Sequence, residues 1–164
     1  MNIKAMLAFD GTAYHGWQIQ NNAVTVQELV TKAIKKTTGE AVTVTGCSRT
    51  DAGVHALNYC INFESDTKIP LEKLPAALNV RLPRDIRIYS CESAASDFHA
   101  RFSAKSKTYI YKTVYSKVEN PFLFNYAYHF SYPLDFDNIR RAAQYFIGTH
   151  GFSAFMATGG SQKT

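Results

Sequence analysis

The sequence has few cysteines and lacks the common signatures of cofactor and metal sites. Its three cysteines, Cys47, Cys60 and Cys91, are odd in number and widely spaced, which argues against a disulfide framework and favours a reducing cytoplasm. The five histidines show no HExxH or HxH spacing, and no GxxxxGK(S/T), GxGxxG or GxSxG motif is present. We therefore expect neither a metal nor a cofactor.

Long apolar runs are also absent. No window approaches the roughly 18 consecutive apolar residues that a membrane helix needs. The first residues, MNIKAMLAFDGT, lack the apolar core of a secretory signal. The composition, 46% hydrophobic and 19% charged, is that of a globular chain, and 164 residues suffice for a hydrophobic core. We expect a cytoplasmic protein with no membrane contact.

What the sequence does contain is an excess of positive charge. The balance of 18 Lys and Arg against 13 Asp and Glu gives a net charge of +5, which favours an anionic partner such as nucleic acid. Many of these charges fall in one stretch, interleaved with tyrosines: Arg81, Arg84, Arg87, Arg101, Lys105, Lys107, Tyr109, Tyr111, Lys112, Tyr115 and Lys117. Basic residues neutralise phosphates and tyrosines stack on bases. The alternative is a strand whose basic residues only face solvent.

Hydrophobic periodicity predicts an α+β unit in the first 95 residues. Strands are expected at 3–9, 42–46, 57–64 and 86–91, and helices from Thr25 to Gly39 and at 71–80. Thr25 and Glu28 predict a capping box, and Gly39 ends the first helix. In the third strand, the predicted inward face carries Leu57, Tyr59, Ile61 and Phe63. The order βαββαβ is the ferredoxin-like arrangement, an antiparallel sheet with both helices on one face and the other face free.

A second pattern begins after residue 95. Residues 107–115 predict a long strand, and Asp137 precedes a predicted helix that ends at Gly148. Only one strand and one helix are visible before the final GGSQKT. We therefore expect two domains, 1–95 and 96–164, of which the second is incomplete in this chain.

The stretch GCSRTDAGVHA, residues 46–56, carries the strongest candidate for chemistry. A carboxylate at the end of a strand stays ionised beside a guanidinium, here Asp51 beside Arg49. An ionised carboxylate can attack carbon in a sugar or an activated ring. Gly53 would allow a sharp turn or a close approach of substrate. The alternative, which the spacing alone favours, is a structural turn aspartate paired with its arginine.

The loop FDGTAYHGWQIQ, residues 9–20, contains the single tryptophan. A lone tryptophan in a glycine-flanked loop is more often a packing anchor than a stacking platform, and we interpret Trp17 in that way. Gln18 and Gln20 beside it are candidate RNA contacts, although nothing local requires that role.

Six stretches together resemble, in chain order, the blocks of the bacterial tRNA pseudouridine synthase A family. They span residues 9–155, and RTDAGVHA is the most specific of them. The stretches are FDGTAYHGWQIQ, TVQELVTKAI, GCSRTDAGVHA, ALNVRLPRDIRI, FHARFSAKSKTYIYKTVY and GTHGFSAF.

The resemblance implies a cofactor-free isomerase that converts uridine to pseudouridine in the anticodon stem-loop of tRNA, at tRNA positions 38–40. It implies that Asp51 is the catalytic nucleophile, that Arg49 helps to hold the target nucleotide outside the helix, and that Tyr109 packs on the target base. It also implies a homodimer and a pseudouridine synthase fold with two pseudo-symmetric ferredoxin-like units. Candidate further RNA contacts are Arg101, Lys105, Lys107 and Gln18.

Two other functions are consistent with parts of the sequence. A non-catalytic ferredoxin-like RNA-binding module would bind RNA equally well after Asp51→Asn, but the sheet lacks the aromatic motif of such modules. A small-molecule enzyme using an Asp and Tyr pair would have no use for the basic stretch. Within the synthase reading, Asp51 attacks C1′ of the ribose or assists departure of uracil with loss of a ribose proton, and the sequence leaves both routes open.

Overall fold

The computed structural model describes residues 1–155 and divides the chain into two units. Unit 1 comprises Met1–Tyr109, and unit 2 comprises Ile110–Thr164. The domain boundary after residue 95 stays a prediction. Within the described range, no helix is long and apolar enough to cross a membrane.

Unit 1 is built on a four-stranded sheet, as the periodicity predicts. Its strands are β1 (Asn2–Phe9), β2 (Thr45–Gly46), β3 (Ala56–Glu64) and β4 (Ile86–Ser93). Their order across the sheet is β2-β3-β1-β4, and each neighbouring pair is antiparallel. The longest strand pairs therefore lie at the centre of the sheet, with β1 between β3 and β4.

Two helices cover one face of this sheet, α1 (Val26–Thr38) and α2 (Leu74–Asn79). The buried residues of both helices belong to the same hydrophobic core as the inward side chains of the strands. The following core residues are at most 1% exposed: Ile3, Leu7, Val30, Ile34, Ile61, Leu78 and Ile88. Burying each such aliphatic side chain stabilises the fold by about 1.5–3 kcal/mol, so this single core fixes the sheet on which the candidate site is built.

The start of α1 matches the predicted capping box only in part. Thr25 is the N-cap, but its side chain makes no cap hydrogen bond. The Glu28 carboxylate accepts from the backbone amide of Thr25, which is the other half of the box, and also pairs with Lys32 at 2.5 Å. The first helical amides, of Val26 and Gln27, donate to the carbonyls of residues 16 and 17 in the preceding loop. The loop carbonyls thus take the place of the missing bond from the Thr25 side chain. The predicted end is confirmed, since Gly39 lies at φ 79° as the C-cap.

The second helix is shorter than the predicted range 71–80. Residues 71–73 form a turn, in which the amides of Lys73 and Leu74 donate to Pro70 O. Pro75 then occupies the first turn of the helix, where its missing N–H is not needed. The helix therefore begins at Leu74.

A β-bulge changes the inward face predicted for the third strand. Tyr59 pairs with Leu7 and Ala56 pairs with Phe9, so two residues of β3 lie opposite Ala8 alone. The bulge shifts the alternation by one position. As a result Ala56 packs against the core, and Leu57 is 71% exposed. Beyond the bulge, the predicted inward residues of the strand are buried.

The predicted strand 42–46 is reduced to Thr45–Gly46. The carbonyl of Val44 accepts a hydrogen bond from Gln27 Nε2 at 2.8 Å rather than one from a neighbouring strand. Val44 is nonetheless 3% exposed. The alternation of residues 42–46 therefore reflects the burial of Val44 near α1. Alternation in a sequence does not distinguish such burial from pairing with another strand.

Unit 2 contains two short strands and a helix among its described residues. Strands β5 (Thr113–Tyr115) and β6 (Tyr128–Phe130) pair in parallel, and they are followed by α3 (Phe136–Gln144) and a 3-10 helix (Ser153–Phe155). The predicted strand 107–115 is therefore wrong over residues 107–112. Alternation alone does not make a strand, because a strand needs a hydrogen-bonding neighbour. Strand β6 pairs with residues 113–115, and the hydrogen bond from Tyr128 N to Lys112 O at 2.8 Å marks the start of that pairing.

The third helix also has different ends from those predicted. It starts at Phe136, and the N-cap is Asp135, whose Oδ1 accepts from the amide of Asn138 at 2.9 Å. It ends at Gln144 rather than at Gly148. The amides of residues 145–147 donate three residues back, to Ala142, Ala143 and Gln144, so the helical ladder tightens into turns before the glycine is reached.

Candidate active site

Asp51 lies in an open pocket at the surface of unit 1. The pocket has a volume of about 420 Å³ and is lined by His15, Gln18, Gln20, Arg49, Thr50, Asp51 and Ala52. One wall comes from the loop after β1. The other comes from residues 47–55, which we call the Asp51 loop. Two chain segments far apart in sequence therefore enclose the candidate nucleophile.

The two loops touch through their backbones. Trp17 N donates to Thr50 O at 3.2 Å, and Gly53 N donates to Tyr14 O at 3.1 Å. A Cβ atom at Gly16, where φ is +78°, would lie 2.2 Å from Thr50 O. Glycine is thus required at position 16 for both the backbone conformation and the close approach. These contacts fix the backbone on either side of Asp51.

Buried aromatic rings support the Asp51 loop from the core side. Trp17 is 1% exposed, and its ring centroid lies 4.4 Å from that of Tyr59. The Tyr59 ring also meets Phe9 edge to face at 5.5 Å. Tyr59 Oη donates to Ser48 O at the start of the loop, and burial raises the pKa of Tyr59 above its ordinary value, which keeps the hydroxyl a donor. The interpretation of Trp17 as a packing anchor is confirmed.

A second set of polar contacts holds the far end of the loop. His55 Nδ1 lies 3.1 Å from Gly11 N and 3.0 Å from Asp10 Oδ1. Tyr14 Oη donates to Asp85 Oδ1 at 2.6 Å, and burial with this hydrogen bond raises the pKa of Tyr14. The residues beside the pocket are therefore tied both to each other and to the start of β4.

Asp51 itself is not tied down. Its side chain makes no hydrogen bond or ion pair within residues 1–155, and no ion pair joins it to Arg49, although both residues line the pocket. Both side chains are exposed. The interpretation of Asp51 as a turn carboxylate paired with Arg49 is therefore not supported. The carboxylate stands on a fixed backbone with its oxygens open to the pocket, as a nucleophile requires.

The other candidate residues lie on a different segment, residues 101–109, which we call the basic segment. Arg101, Lys105 and Lys107 are exposed, and Tyr109 is 75% exposed. None of the four lines the Asp51 pocket. The structure thus brings Asp51, Arg49 and Gln18 together and does not bring the basic segment into the same pocket. The role of Tyr109 stays a prediction.

His15 is a pocket residue that the sequence analysis did not identify. Its amide donates to Val24 O at 3.0 Å, and its carbonyl accepts from Gln20 Nε2 at 2.9 Å. The backbone is therefore fixed while the exposed ring faces the pocket. The signal in the sequence was Gly16 between His15 and the buried Trp17, since a glycine beside a core anchor marks a tight loop.

Two of the three cysteine thiols, Cys60 and Cys91, are held in the protonated form. Burial raises the pKa of the Cys91 thiol to about 12 and also raises that of Cys60, so both stay protonated at neutral pH. In the described part of the chain, no group of three or more His, Cys, Asp or Glu residues is placed to hold a metal ion.

Comparison with known proteins gives one consistent result. A family model described as tRNA pseudouridine synthase matches residues 5–103. A tRNA pseudouridine synthase A of Thermoanaerobacter sp. (strain X514) is 53% identical over 163 residues, covering 99% of this chain and 67% of the relative. Proteins of the same name from Acetivibrio thermocellus and, as tRNA pseudouridine synthase A 2, from Clostridium perfringens are 48% and 47% identical, with the same coverage. The matched range contains the whole Asp51 pocket.

Proposed function

Because this chain belongs to the tRNA pseudouridine synthase family, we propose that it isomerises uridine to pseudouridine in the anticodon stem-loop of tRNA, at positions 38–40. The family match and the names of the relatives support an isomerase that acts on tRNA. They disfavour a non-catalytic RNA-binding module and a small-molecule enzyme. The position in tRNA rests on the resemblance of the sequence blocks to the synthase A family.

The observation that carries the proposal is the carboxylate of Asp51, which has no partner among residues 1–155 and stands on a fixed backbone in an open pocket. We assign it nucleophilic attack on C1′ of the target ribose. A bond forms between C1′ and the carboxylate while the C1′–N1 bond breaks. The electron pair of the C1′–N1 bond leaves with the uracil. The uracil turns, and C5 bonds to C1′ and displaces the carboxylate. C5 loses its proton to solvent and N1 gains one, so atoms and charge balance without a co-reactant.

The target uridine must leave its stacked position to reach this pocket. Base flipping costs a few kcal/mol, and groups that hold the flipped state offset that cost. Arg49 lies beside Asp51 in the pocket wall, where its guanidinium can occupy the vacated space or bind the neighbouring phosphate. Tyr109 is assigned to pack on the uracil, which requires that the exposed basic segment approaches the pocket when tRNA binds.

We assign recognition of the rest of the tRNA to the shape of the RNA and to its phosphate charges. The deep groove of A-form RNA resists reading by side chains, so phosphate contacts dominate. Arg101, Lys105 and Lys107 are exposed and carry no ion pair within the described residues, which leaves their charges available for phosphates. Gln18, in the pocket wall, is the candidate contact next to the target nucleotide.

Three further features belong to the same proposal. The strand order β2-β3-β1-β4 with both helices on one face supports a ferredoxin-like unit. A homodimer with two-fold symmetry would double the basic surface offered to one tRNA. A cytoplasmic location follows from tRNA as substrate. Sedimentation of the purified protein, alone and with tRNA, tests the dimer.

Mapping of pseudouridine in unmodified tRNA transcripts tests the proposed target. Transcripts carrying a single uridine at position 38, 39 or 40 are compared with one that has uridine only in the acceptor stem. We expect modification of the first three and none of the fourth. Modification of the acceptor-stem uridine alone would overturn the anticodon assignment and leave the isomerase intact.

A further inference from the structure

The sheet face opposite the helices is partly covered by residues 94–100, which we call the strap. Two carboxamide side chains project from this face, Asn2 on β1 and Asn62 on β3. Asn2 is 8% exposed and Asn62 is half-buried. The predicted free face is therefore occupied at this end, and polar side chains of the sheet contribute to the contact.

The two amides form one connected hydrogen-bond network with the strap. Asn62 Nδ2 donates to Asn2 Oδ1 at 3.0 Å and to Phe98 O at 3.4 Å, and Ala100 N donates to Asn62 Oδ1 at 2.8 Å. Asn2 Nδ2 donates to Ala95 O at 2.9 Å and to Phe98 O at 2.8 Å. Both functional atoms of each carboxamide are used. An aspartate at position 62 would keep the acceptor for Ala100 but present an oxygen to two other acceptors.

The end of this network is also the start of the basic segment. Ala100 is 2% exposed, and the next residues turn back on themselves, because the amides of Phe102 and Ser103 donate to His99 O at 3.0 and 2.8 Å. Arg101 lies at the tip of this turn, with its guanidinium 5.7 Å from the centre of the Phe102 ring. An exposed arginine thus directly follows a residue that Asn62 holds on the sheet.

We propose that Asn62 is a positioning residue for tRNA binding that acts through Arg101. Its carboxamide fixes Phe98 and Ala100 on the sheet, and this sets the place at which Arg101 meets RNA. Without it, Arg101 must be ordered when RNA binds, at a cost in binding free energy. The proposal rests on the proposed function, since it requires that the protein binds tRNA and that Arg101 contacts the bound RNA. The Asp51 pocket is not involved.

Two variants and a matched control test this role in the protein at the length its gene encodes. Asn62→Asp breaks the amide donors with little change of shape, and Asn62→Ala removes the side chain without adding charge. Asn58→Asp adds the same charge on the same strand and face, at an exposed residue whose side chain has no partner among the described residues. Hydrogen exchange of a peptide covering the strap and the turn at 99–103 reports the anchoring without any RNA. The tRNA Kd and the single-turnover rate then show whether this anchoring contributes to tRNA binding or to the chemical step.

We expect faster exchange in the 94–103 peptide for both Asn62 variants, with unchanged exchange in β1 and the Asp51 loop. The tRNA Kd should rise about 10-fold, while the single-turnover rate at saturating tRNA should stay within twofold of that of the parent. Adding Asn62→Ala to Arg101→Ala should weaken binding no further, because the effect passes through Arg101. Asn58→Asp should behave as the parent protein.

Three results would overturn the inference, and they are distinguishable. Unchanged exchange in both Asn62 variants would show that the network does not anchor the strap, whatever the protein binds. Faster exchange with an unchanged Kd would show that anchoring is not used for RNA. A parent protein that binds no tRNA would defeat the proposed function and this role of Asn62 together, even if the exchange result holds. If Asn62→Asp does not fold, Asn62→Ala and the double variant decide the question.

Discussion

The Asp51 loop and the basic segment are both assigned to the reaction, but they are held in different ways. The Asp51 loop is fixed by backbone hydrogen bonds to the loop after β1 and by the buried rings of Trp17 and Tyr59. Within the described part of the chain, the basic segment is anchored at its start alone, and all its residues are exposed. A group that forms a covalent bond needs a defined position. Basic side chains that neutralise phosphates contribute to binding rather than to bond formation, so anchoring the start of their segment is enough to place them.

Truncation of the tryptophan should have the largest effect on stability. Trp17→Ala removes a ring that is 1% exposed from beneath the Asp51 loop, which should cost about 3–5 kcal/mol of the unfolding free energy. Phe102→Ala, at a ring of the basic segment that is 76% exposed, should cost less than about 0.5 kcal/mol. Urea denaturation measures both. Similar losses for the two variants would contradict the contrast between the regions.

Disrupting the contact between the loop after β1 and the Asp51 loop should have the second-largest effect. Gly16→Ala introduces a methyl group 2.2 Å from Thr50 O at a residue with φ +78°, so we expect the Asp51 loop to move and activity to fall at least about 10-fold. Gly39→Ala is the control, because φ is +79° there and nothing lies within 4 Å of the added Cβ. It should cost about 1–2 kcal/mol of stability and leave activity unchanged. Equal activity of the two variants would argue against the close approach.

Loss of one hydroxyl should have a smaller effect. Tyr59→Phe removes the hydrogen bond to Ser48 O and should lower the unfolding free energy by about 1 kcal/mol. Tyr109→Phe, at an exposed residue whose hydroxyl has no partner in the described range, should not change stability. Thermal unfolding of both variants checks this. An unstable Tyr109→Phe would mean that this residue is packed, not free to meet RNA.

Single charges on the basic segment should have the smallest effect on catalysis. Lys105→Gln and Lys107→Gln should each reduce the slope of log K against log salt for tRNA binding by about 0.7–1, with the single-turnover rate unchanged. Lys36→Gln, exposed on α1, serves as the control and should leave the slope unaltered. A salt-independent Kd of the parent protein would remove the basis for assigning phosphate contacts to this segment.

Local pattern predicted most of unit 1 because its elements are periodic and bury one face. The helix α1 ends at Gly39 as expected, and β1 runs over the predicted residues. The predictions that were wrong concern residues whose conformation depends on contacts with other segments of the chain. A bulge moves Leu57 outward, and the side chain of Gln27 hydrogen-bonds to the carbonyl of Val44. Residues 107–111 lack a strand partner in the described chain.

The candidate site was predictable only in part. The motif RTDAGVHA identified Asp51 and Arg49, and the loop after β1 supplied Gln18, all of which line the pocket. His15 and Asn62 were missed, because their roles depend on contacts with segments distant in sequence. Polar residues on a strand, such as Asn62, look like a solvated face until the segment that covers them is known.

Release of tritium from C5-labelled uridine in an unmodified tRNA transcript tests the central claim most directly. C5 exchanges its hydrogen for the bond to ribose, so release reports the isomerisation itself. The assay compares the protein at the length its gene encodes with Asp51→Asn, and with Glu72→Gln as an exposed charge control. We predict release by the parent and by Glu72→Gln, and none above background by Asp51→Asn at an unchanged tRNA Kd. Full release by Asp51→Asn would contradict the assignment of Asp51 as the nucleophile.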